Sequence, residues 1–481
     1  MPLHVRSQHA SHRGVERHNP VWLLCVVACL WALRLLARLF FRARVRRNTL
    51  AFFHPHTLGG GGGERVLWVA VRAVQAACPA LDVVIFTGDS APASELASRA
   101  EALFGVPLLR PVAAVRLRLR PLVEPSAYPV LTLLGQAAGS VLLGAEALFK
   151  LTPEVFVDTS GYAFTYPLAA ALGCRVAAYT HYPWVSADMR AAVSSRSQKF
   201  NNGRVVSRSA ALTRAKLAYY SFLGAAYGAA GRCAAVSMAN SSWTGAHVEQ
   251  VWGKEPIVVF PPCDTSALAS LPLARPLRPR TVVSVAQFRP EKDHAMQIDA
   301  WAMLLSRARA AAFAHPFEPL KGALLVLVGG VRNAADEARV ASLRTRAESS
   351  GVGGSVIFRI GVSVSEMHSL LGSAHVALHT MKDEHFGIAV VEAMAAGAVP
   401  VAHDSAGPRA DIVVAEEPGA PRPGFLASSV EGFADAMQEA LCMPEERRLA
   451  LAARARTAAA AFSEEVFAAD LLAALAPILP R

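Results

Sequence analysis

The chain has few charged residues, and none of its seven cysteines forms a metal-type pair with a neighbouring cysteine or histidine. Charged side chains make up 18% of the 481 residues and hydrophobic ones 53%, a balance that indicates membrane contact. The odd, scattered cysteines are typical of a reducing compartment, where thiols serve as small apolar side chains. The sequence therefore argues against a disulfide framework and against a cysteine-based metal centre.

Negative charge is also in short supply, since the formal net charge is +11. A chain this basic is expected to meet an anionic partner: an acidic lipid, a diphosphate or a nucleic acid. Zinc-finger spacing, a helix-turn-helix signal and the aromatic pattern of RNA-recognition domains are all missing. We therefore expect no nucleic-acid partner.

No uninterrupted apolar run reaches the roughly 20 residues that a bilayer span requires. The longest near the amino terminus covers residues 21–33 and continues to residue 41, interrupted by Arg34 and Arg38. The side chains of those two arginines can extend toward the lipid headgroups, so residues 21–41 can still span the bilayer. Basic residues dominate positions 42–47, which by the positive-inside rule places the rest of the chain in the cytosol. A cleaved signal peptide is the alternative, but no small-residue cleavage site follows.

Two internal stretches are also unusually apolar. Residues 128–151 contain only Glu146 and Lys150 as charged residues. Residues 204–232 begin with basic residues and continue with aromatic and aliphatic ones, a pattern typical of a helix that lies on a membrane surface. Buried core helices are the alternative for both stretches, and we favour membrane contact only for the second.

From residue 48 onward, short apolar strands alternate with longer helical patterns. The predicted strands are residues 50–53, 83–86, 155–157, 176–179, 257–260, 281–285, 323–328, 356–358, 376–378 and 399–401. This alternation predicts an α/β protein with doubly wound parallel sheets. Prolines cluster at residues 261–279, as in an interdomain linker. We predict a tail and membrane anchor at 1–47, Rossmann-like domains at 48–265 and 266–455, and a terminal helix at 456–481 that packs back on the first domain. Two such domains leave one natural ligand site, the cleft between the carboxyl ends of their strands.

Two carboxylates, Glu384 and Glu392, bracket the start of an apolar helix in the second half of the chain. The residues that open this helix are Phe386, Gly387 and Ile388. A helix amino terminus carries unpaired N–H groups and favours a phosphate, while the flanking carboxylates could hold sugar and ribose hydroxyls. An ordinary surface helix with two solvated acids is the alternative.

Other candidate site residues follow predicted strands. Gly60, Gly61, Gly62 and Gly63 come after the first strand and would let the backbone approach a ligand, although the loop is no Walker motif. A flexible turn is the alternative.

Arg289 and Lys292 follow the first strand of the second half and suit a diphosphate. His181 follows another strand end and could act as an acid, a base or a hydrogen-bond donor, or be structural. Asp158 occupies a similar position.

Arg289 and Lys292, together with Glu384-x7-Glu392, resemble the retaining family 4 glycosyltransferases of GT-B architecture. Five further segments are similar to the endoplasmic-reticulum α-1,2-mannosyltransferases of asparagine-linked glycan assembly: residues 52–55, 60–68, 179–183, 260–264 and 287–292. The resemblance covers roughly residues 48–415. It implies two Rossmann-like domains that face each other across a cleft.

The resemblance implies GDP-mannose as donor and trimannosyl-chitobiose-diphosphodolichol as acceptor, extended by two α-1,2-linked mannoses. It places Glu384 at the transferred sugar, Glu392 at the ribose, and Arg289 and Lys292 at the diphosphate, with no metal or other cofactor. His181 would steer the sugar. It also implies an endoplasmic-reticulum membrane location with cytosolic catalytic domains, and other mannosyltransferases of the pathway as candidate partners.

Two other classes of function remain open on the residues alone. One is a different enzyme on this fold, with another sugar nucleotide, a phosphatidylinositol acceptor, or epimerase activity. The other is a membrane-bound subunit without catalysis, which the complete set of Glu384, Glu392, Arg289 and Lys292 disfavours.

Overall fold

A computed structural model describes residues 44–184, 210–276 and 278–480 of the chain. The predicted membrane anchor at residues 21–41 and the first part of the 204–232 stretch lie outside the described residues. The described chain builds two wholly parallel sheets flanked by helices, which is the predicted fold class.

The first sheet has seven strands in the order β3-β2-β1-β4-β5-β6-β7. Its strands are β1 Arg46–Phe53, β2 Asp82–Thr87, β3 Ala113–Arg116, β4 Pro153–Asp158, β5 Arg175–Thr180, β6 Val236–Ala239 and β7 Ile257–Val258. Its helices are α1 Gly62–Ala77, α2 Ala93–Phe104, α3 Thr132–Lys150, α4 Tyr166–Ala171, α5 Ala210–Gly231 and α6 Ser242–Trp252.

The second sheet has six strands in the order β10-β9-β8-β11-β12-β13. Its strands are β8 Thr281–Val285, β9 Leu324–Gly329, β10 Val356–Ile360, β11 Val376–His379, β12 Val399–His403 and β13 Phe425–Ala427. The remaining helices are α7 Thr265–Ala269, α8 His294–Ala310, α9 Ala334–Ser349, α10 Val364–Ser373, α11 Ile388–Ala396, α12 Val430–Cys442, α13 Glu445–Ala459 and α14 Glu464–Leu475.

Both sheets have the strand order of a dinucleotide-binding fold. The central strands are buried on both faces, which explains their continuous apolar sequences. The order of connection reverses between β1 and β4 in the first sheet and between β8 and β11 in the second. Ligands of open parallel sheets bind at the carboxyl ends of strands that flank such a reversal.

The chain crosses between the two sheets twice, and the crossings lie side by side. On the outward crossing, the proline-rich segment includes α7, which packs on α11. On the return, Phe462 accepts a backbone hydrogen bond from Cys263 at 3.0 Å. The last helix, α14, then packs on α1 and adds Phe467 and Leu471 to the core of the first domain.

The helices α3 and α5 each have one face in the core and another exposed. Leu143 and Leu148 of α3 and Leu223 of α5 are buried, whereas Phe149 and Phe222 are exposed to 75% and 65%. Within the described residues, α3 alone is long and apolar enough to span a membrane, and 44% of its most apolar window is buried in protein.

Candidate active site

Lys292 and Glu384 meet where the second sheet reverses its strand order. Lys292 lies in the loop after β8, and Glu384 lies in the loop after β11. The hydroxyl of Thr380 joins these loops by donating toward the carbonyls of Lys292 and Asp293, at 3.0 and 3.1 Å. Asp293 adopts a left-handed conformation and caps α8 by accepting from the Met296 N–H. Both loops are therefore held in place by local hydrogen bonds.

The Glu384 carboxylate receives two donors on one oxygen. Lys292 Nζ lies 2.5 Å from Oε2, and His379 Nε2 lies 3.0 Å from the same atom. Burial alone would raise the pKa of this carboxyl, but the hydrogen bond from His379 and the charge of Lys292 outweigh burial and hold that pKa well below its usual range. Glu384 is therefore ionised at neutral pH.

The helix α11 begins directly beside Glu384. Gly387 has a φ of 117°, a backbone conformation that favours glycine, and the helix starts without a side-chain cap. Its first N–H groups are therefore left for a ligand. At the other end, the guanidinium groups of Arg275 and Arg456 donate to the Ala396 carbonyl, which completes the hydrogen bonding of the helix.

The first domain forms the opposite wall of a cavity of about 330 Å³. The cavity is lined by Gly62, Gly63, His181, Asn240, Pro261, Val285, Lys292, His379, Glu384, His385, Phe386, Gly387, Ile388 and Ala389.

A Cβ atom on Gly62 would lie 2.7 Å from Ile388 Cδ1, so glycine allows α1 to begin against the second domain. Gly60 lines a different cavity, and the Gly61 N–H donates to Glu64 at 3.0 Å. The predicted glycine loop is thus divided between two cavities and a local turn.

His181 faces Gly63 from the end of β5. Its Nε2 lies 3.1 Å from the Thr159 carbonyl oxygen, which can only accept, so Nε2 carries the hydrogen. Burial lowers the pKa of His181 to about 4, and the ring is neutral at neutral pH. His54 supports the same loop from behind, with Nδ1 2.8 Å from the Thr159 hydroxyl.

Asp158 points away from the cleft and into the core of the first domain. It accepts hydrogen bonds from the Tyr166 hydroxyl at 2.6 Å and from the Ser160 N–H at 2.8 Å. Burial raises the pKa of Asp158 to about 6. Asp158 therefore shapes the loop that carries Thr159 and does not line the cavity.

Arg289 and Glu392 lie outside this first cavity. Arg289 is about one-third exposed, and its Nη1 lies 3.9 Å from Glu291. Glu392 lines a second cavity of about 490 Å³, together with Gly60, Arg65 and residues 362–364, 367 and 368. The structure thus brings Lys292, Glu384, His181, Phe386, Gly387 and Ile388 together, and separates Glu392 from them.

An aromatic contact joins the two domains at the edge of the first cavity. The rings of Tyr182 and His385 stack with centroids 4.2 Å apart and planes 3° apart, and Trp243 lies nearly parallel to both. Nearby, Asp411 accepts a hydrogen bond from the Ser242 N–H at 3.1 Å. The domains therefore contact each other directly beside Glu384.

The sequence did not indicate three polar residues of this cavity as site residues: His379, His385 and Asn240. His379 ends β11, and Asn240 directly follows β6. A polar residue at the carboxyl end of a buried strand was the available signal for both, the same signal that selected His181. Within the described residues no group of three or more His, Cys, Asp or Glu side chains could hold a metal ion.

Two family models match the chain, one for each domain. The model described as "ALG11 mannosyltransferase N-terminus" matches residues 47–252, and that for "Glycosyl transferases group 1" matches residues 272–458. Among solved structures, OtsA aligns with a TM-score of 0.62 at 11% identity over 90% of this chain and 99% of its own. Anabaena Alr3699/HepE in complex with UDP and glucose aligns with a TM-score of 0.58 at 16% identity, over 89% and 99%. At these identities the likeness shows the fold, which is that of GT-B glycosyltransferases.

The curated relatives are much closer in sequence. The chain is 44% identical to the Mus musculus GDP-Man:Man(3)GlcNAc(2)-PP-Dol alpha-1,2-mannosyltransferase over 90% of this chain and 87% of the relative. It is 42% identical to the Homo sapiens protein of the same name, over 94% and 92%. The Dictyostelium discoideum protein of that name is 40% identical, over 90% and 85%. The chain therefore belongs to the ALG11 mannosyltransferase family.

Proposed function

We propose that this protein is a retaining α-1,2-mannosyltransferase that moves mannose from GDP-mannose to a dolichol-diphosphate-linked oligosaccharide. The main support is the 40–44% identity, over about 90% of the chain, to relatives whose names specify that donor and the Man(3)GlcNAc(2)-PP-Dol acceptor. We further propose that it adds two mannoses in succession, the fourth and fifth of the glycan. The geometry of the cleft supports the binding of a diphosphate and its departure from the sugar.

The donor diphosphate is proposed to bind at the start of α11. Lys292 lies beside this helix terminus in the first cavity, and the first N–H groups of α11 add the positive end of a helix dipole. Arg289, in the same loop as Lys292, supplies a second cation. Fixed positive groups of this kind stabilise the charge that develops on a departing nucleoside diphosphate. We propose that these groups act without a metal ion.

The nucleoside is proposed to extend from the diphosphate into the second cavity. Glu392 lies there, one helical turn beyond the residues that line the first cavity. Its carboxylate can accept hydrogen bonds from two adjacent ribose hydroxyls. Burial raises the pKa of Glu392 and Arg65 opposes that effect, so the ion pair with Arg65 helps to keep Glu392 ionised.

The transferred mannose is proposed to lie between Glu384 and His181. A hydroxyl of the acceptor attacks the anomeric carbon on the face from which the diphosphate leaves. The bond from that carbon to the phosphate oxygen breaks, the new glycosidic bond forms, and the hydroxyl proton passes to the leaving phosphate oxygen. The configuration is retained without a covalent bond to the protein. Glu384 orients the sugar and stabilises the positive charge at its anomeric centre.

The membrane is proposed to contact the first domain. The described chain begins at Arg44, whose guanidinium carbon lies 5.4 Å from the centroid of the Phe149 ring at the end of α3. In the sequence, Arg44 follows closely after the anchor predicted at residues 21–41. A hydrogen bond of 3.0 Å from the Leu134 N–H to the Tyr219 hydroxyl links α3 to α5. We propose that the exposed apolar faces of these helices rest on the cytosolic surface of the endoplasmic-reticulum membrane.

A transfer assay tests the proposed function. The full chain, reconstituted in lipid nanodiscs, is incubated with radiolabelled GDP-mannose and Man(3)GlcNAc(2)-PP-dolichol. We expect two labelled mannoses per acceptor, both released by an α-1,2-specific mannosidase. Turnover with UDP-sugars alone, or transfer to phosphatidylinositol instead, would assign a different enzyme. No turnover with any sugar nucleotide would favour the non-catalytic alternative.

A further inference from the structure

We propose that His379 is a positioning residue that holds the Glu384 carboxylate in its catalytic orientation. The inference rests on the proposed function, because Glu384 is the residue expected at the transferred sugar. His379 is the last residue of β11, and its side chain is 8% exposed. Its Nε2 lies 3.0 Å from Oε2 of Glu384, five residues further along the chain.

The hydrogen bonds on Glu384 leave one of its oxygens for the substrate. His379 and Lys292 both contact Oε2. Within the described part of the chain, no donor bonds the other oxygen, Oε1. A carboxylate fixed through one oxygen can present its second oxygen to a sugar hydroxyl or to a developing cation in one orientation only. His379 and Lys292 together therefore determine where Oε1 points.

Lys292 cannot hold Glu384 alone during the reaction. Its ammonium group is proposed to contact the donor diphosphate, which carries more negative charge than a single carboxylate. As that charge grows on the leaving group, the lysine is drawn toward the phosphate and its contact with Oε2 weakens. His379 belongs to β11 and not to the loop of the lysine, so a movement of Lys292 does not displace it. It remains the donor that keeps Oε2 in place when the bond to the phosphate breaks.

His379 is not required to hold the two loops together. Thr380, the next residue, makes the hydrogen bonds to the loop of Lys292 and also accepts one from the Gln297 amide at 2.9 Å. Removing the imidazole therefore leaves this loop contact intact. We expect loss of the His379 imidazole to change the orientation of the Glu384 carboxylate and to leave the two loops in place.

The test compares three substitutions at His379 in the reconstituted full chain. Glutamine places its amide nitrogen near the Nε2 position, whereas asparagine places it near Nδ1. We expect H379A and H379N to lower kcat about tenfold to a hundredfold, the rate equivalent of one hydrogen bond to a charged group, while KM for GDP-mannose is unchanged. H379Q should recover most of the wild-type kcat.

A pH profile separates this role from a structural one. The titratable groups that face Glu384 are Lys292, His379 and His385 on the second domain and His181 across the cavity. Without the donor from His379, the pKa of Glu384 rises, so the acid limb of kcat should move to higher pH in H379A and return in H379Q. A structural defect would lower kcat without moving that limb.

His375 provides a matched control at the other end of β11. Like His379, it is a buried histidine. Its Nδ1 accepts a hydrogen bond from the Thr281 N–H at 3.2 Å, and its Nε2 donates to the Pro276 carbonyl at 3.0 Å. We expect H375Q to lower the melting temperature without shifting the acid limb of kcat. If H379A does not fold, the kcat values of H379Q and H379N are compared instead, and their difference tests the positioning role.

The outcomes distinguish this inference from the proposed function. Equal kcat in wild type and H379A, or equal kcat in H379Q and H379N, would overturn the positioning role while mannose transfer stands. A wild-type protein that does not use GDP-mannose would overturn the proposed function itself. Activity in H379Q, together with loss in H379N, supports the inference.

Discussion

Arg65 on the first domain and Glu392 on the second form an ion pair across the cleft. Nη1 of Arg65 lies 3.4 Å from Oε1 of Glu392, and its Nη2 lies 2.8 Å from Oε1 of Glu464 on α14. The arginine side chain is only 10% exposed. One guanidinium therefore links the first domain, the helix α11 of the second domain, and the returning helix α14.

Substitution of Arg65 by methionine should destabilise the protein. The change keeps the bulk of the side chain but leaves the carboxylates of Glu392 and Glu464 without their shared cation. We expect a loss of about 2–4 kcal/mol in the free energy of unfolding, close to the effect of breaking a buried ion pair. Urea unfolding at pH 7 measures this loss.

Arg72 offers a matched control for that substitution. It contacts the other oxygen of Glu464 at 2.5 Å, is 28% exposed, and does not contact Glu392. Arg72→Met should therefore cause a smaller loss of stability and leave the affinity for GDP unchanged. Equal stability of R65M and the wild type would show that the ion pair across the cleft contributes nothing.

Removal of either member of the Lys292–Glu384 pair should abolish most of the activity. We expect Glu384→Gln and Lys292→Met to lower kcat by about a hundredfold to a thousandfold, the range for loss of one preorganised electrostatic group. Mannose transfer measures the effect, and the melting temperature shows whether each variant folds. Glu291→Gln, a change in the same loop at a residue that is 47% exposed, is the control and should keep wild-type activity. Full activity in both pair variants would remove this pair from the mechanism.

Buried histidines should make the folded protein less stable as the pH falls below about 6.5. Burial lowers the pKa of His294 and of His375 to about 4, and that of His54 to about 3. The unfolded chain then binds more protons than the folded one between about pH 6.5 and pH 4. The contribution of these neutral histidines to the free energy of unfolding is therefore complete above pH 6.5, and it is lost progressively as the pH falls from 6.5 to 4.

His294 is the best residue for testing that pH dependence. Its ring stacks on Phe288, and among the described residues neither ring nitrogen reaches a partner with hydrogen-bond geometry, although the Ala286 backbone lies nearby. His294→Phe should fold normally at pH 7 and lose about 2–3 kcal/mol less than the wild type between pH 7 and pH 4. Urea midpoints across this range measure the difference. Identical pH dependence in both proteins would contradict the assignment.

The sequence predicted ten of the strands that the structure describes, including β8 and β11, which lead to the loops of Lys292 and Glu384. The predicted strand at residues 281–285 matches β8, and that at residues 376–378 lies within β11. These central strands are buried on both faces and have continuous apolar sequences. Three strands, β3, β6 and β13, were not predicted. The strands β3 and β13 lie at sheet edges, where a strand buries fewer side chains and shows less hydrophobic contrast, and β6 is an interior strand of only four residues that includes Ser237.

The site itself was predictable where residues follow neighbouring strands. Lys292 and Glu384 follow β8 and β11, which pair directly, so their approach is a consequence of the strand order. The contact between Arg65 and Glu392 depends instead on how the two domains face each other, and 327 residues separate the pair. No local pattern contains that information. For His379, the sequence predicts a position at the end of a strand, but it does not predict the hydrogen bond to Glu384.

The exposed apolar faces of α3 and α5 give a prediction about the acceptor. Phe149 and Phe222 are the most exposed aromatic residues on these helices. The double variant Phe149→Glu and Phe222→Glu keeps the predicted anchor, so the protein should remain membrane-bound. Without the apolar contact, the first domain no longer rests on the bilayer and the cleft meets lipid-linked acceptors less often. We expect KM for the dolichol-linked acceptor in nanodiscs to rise roughly tenfold, the equivalent of one lost aromatic contact.

Two comparisons show whether that effect arises from the membrane. KM for a water-soluble, short-chain analogue of the acceptor should be unchanged in the double variant, because that analogue reaches the cleft from solution. Ile360 is 47% exposed at the end of β10 in the second domain, away from α3 and α5. Ile360→Glu makes the same chemical change on that domain and should leave both KM values unaltered. If the double variant and I360E behave alike with the dolichol-linked acceptor, these helices do not form the membrane contact, and the anchor alone must bring the cleft to its substrate.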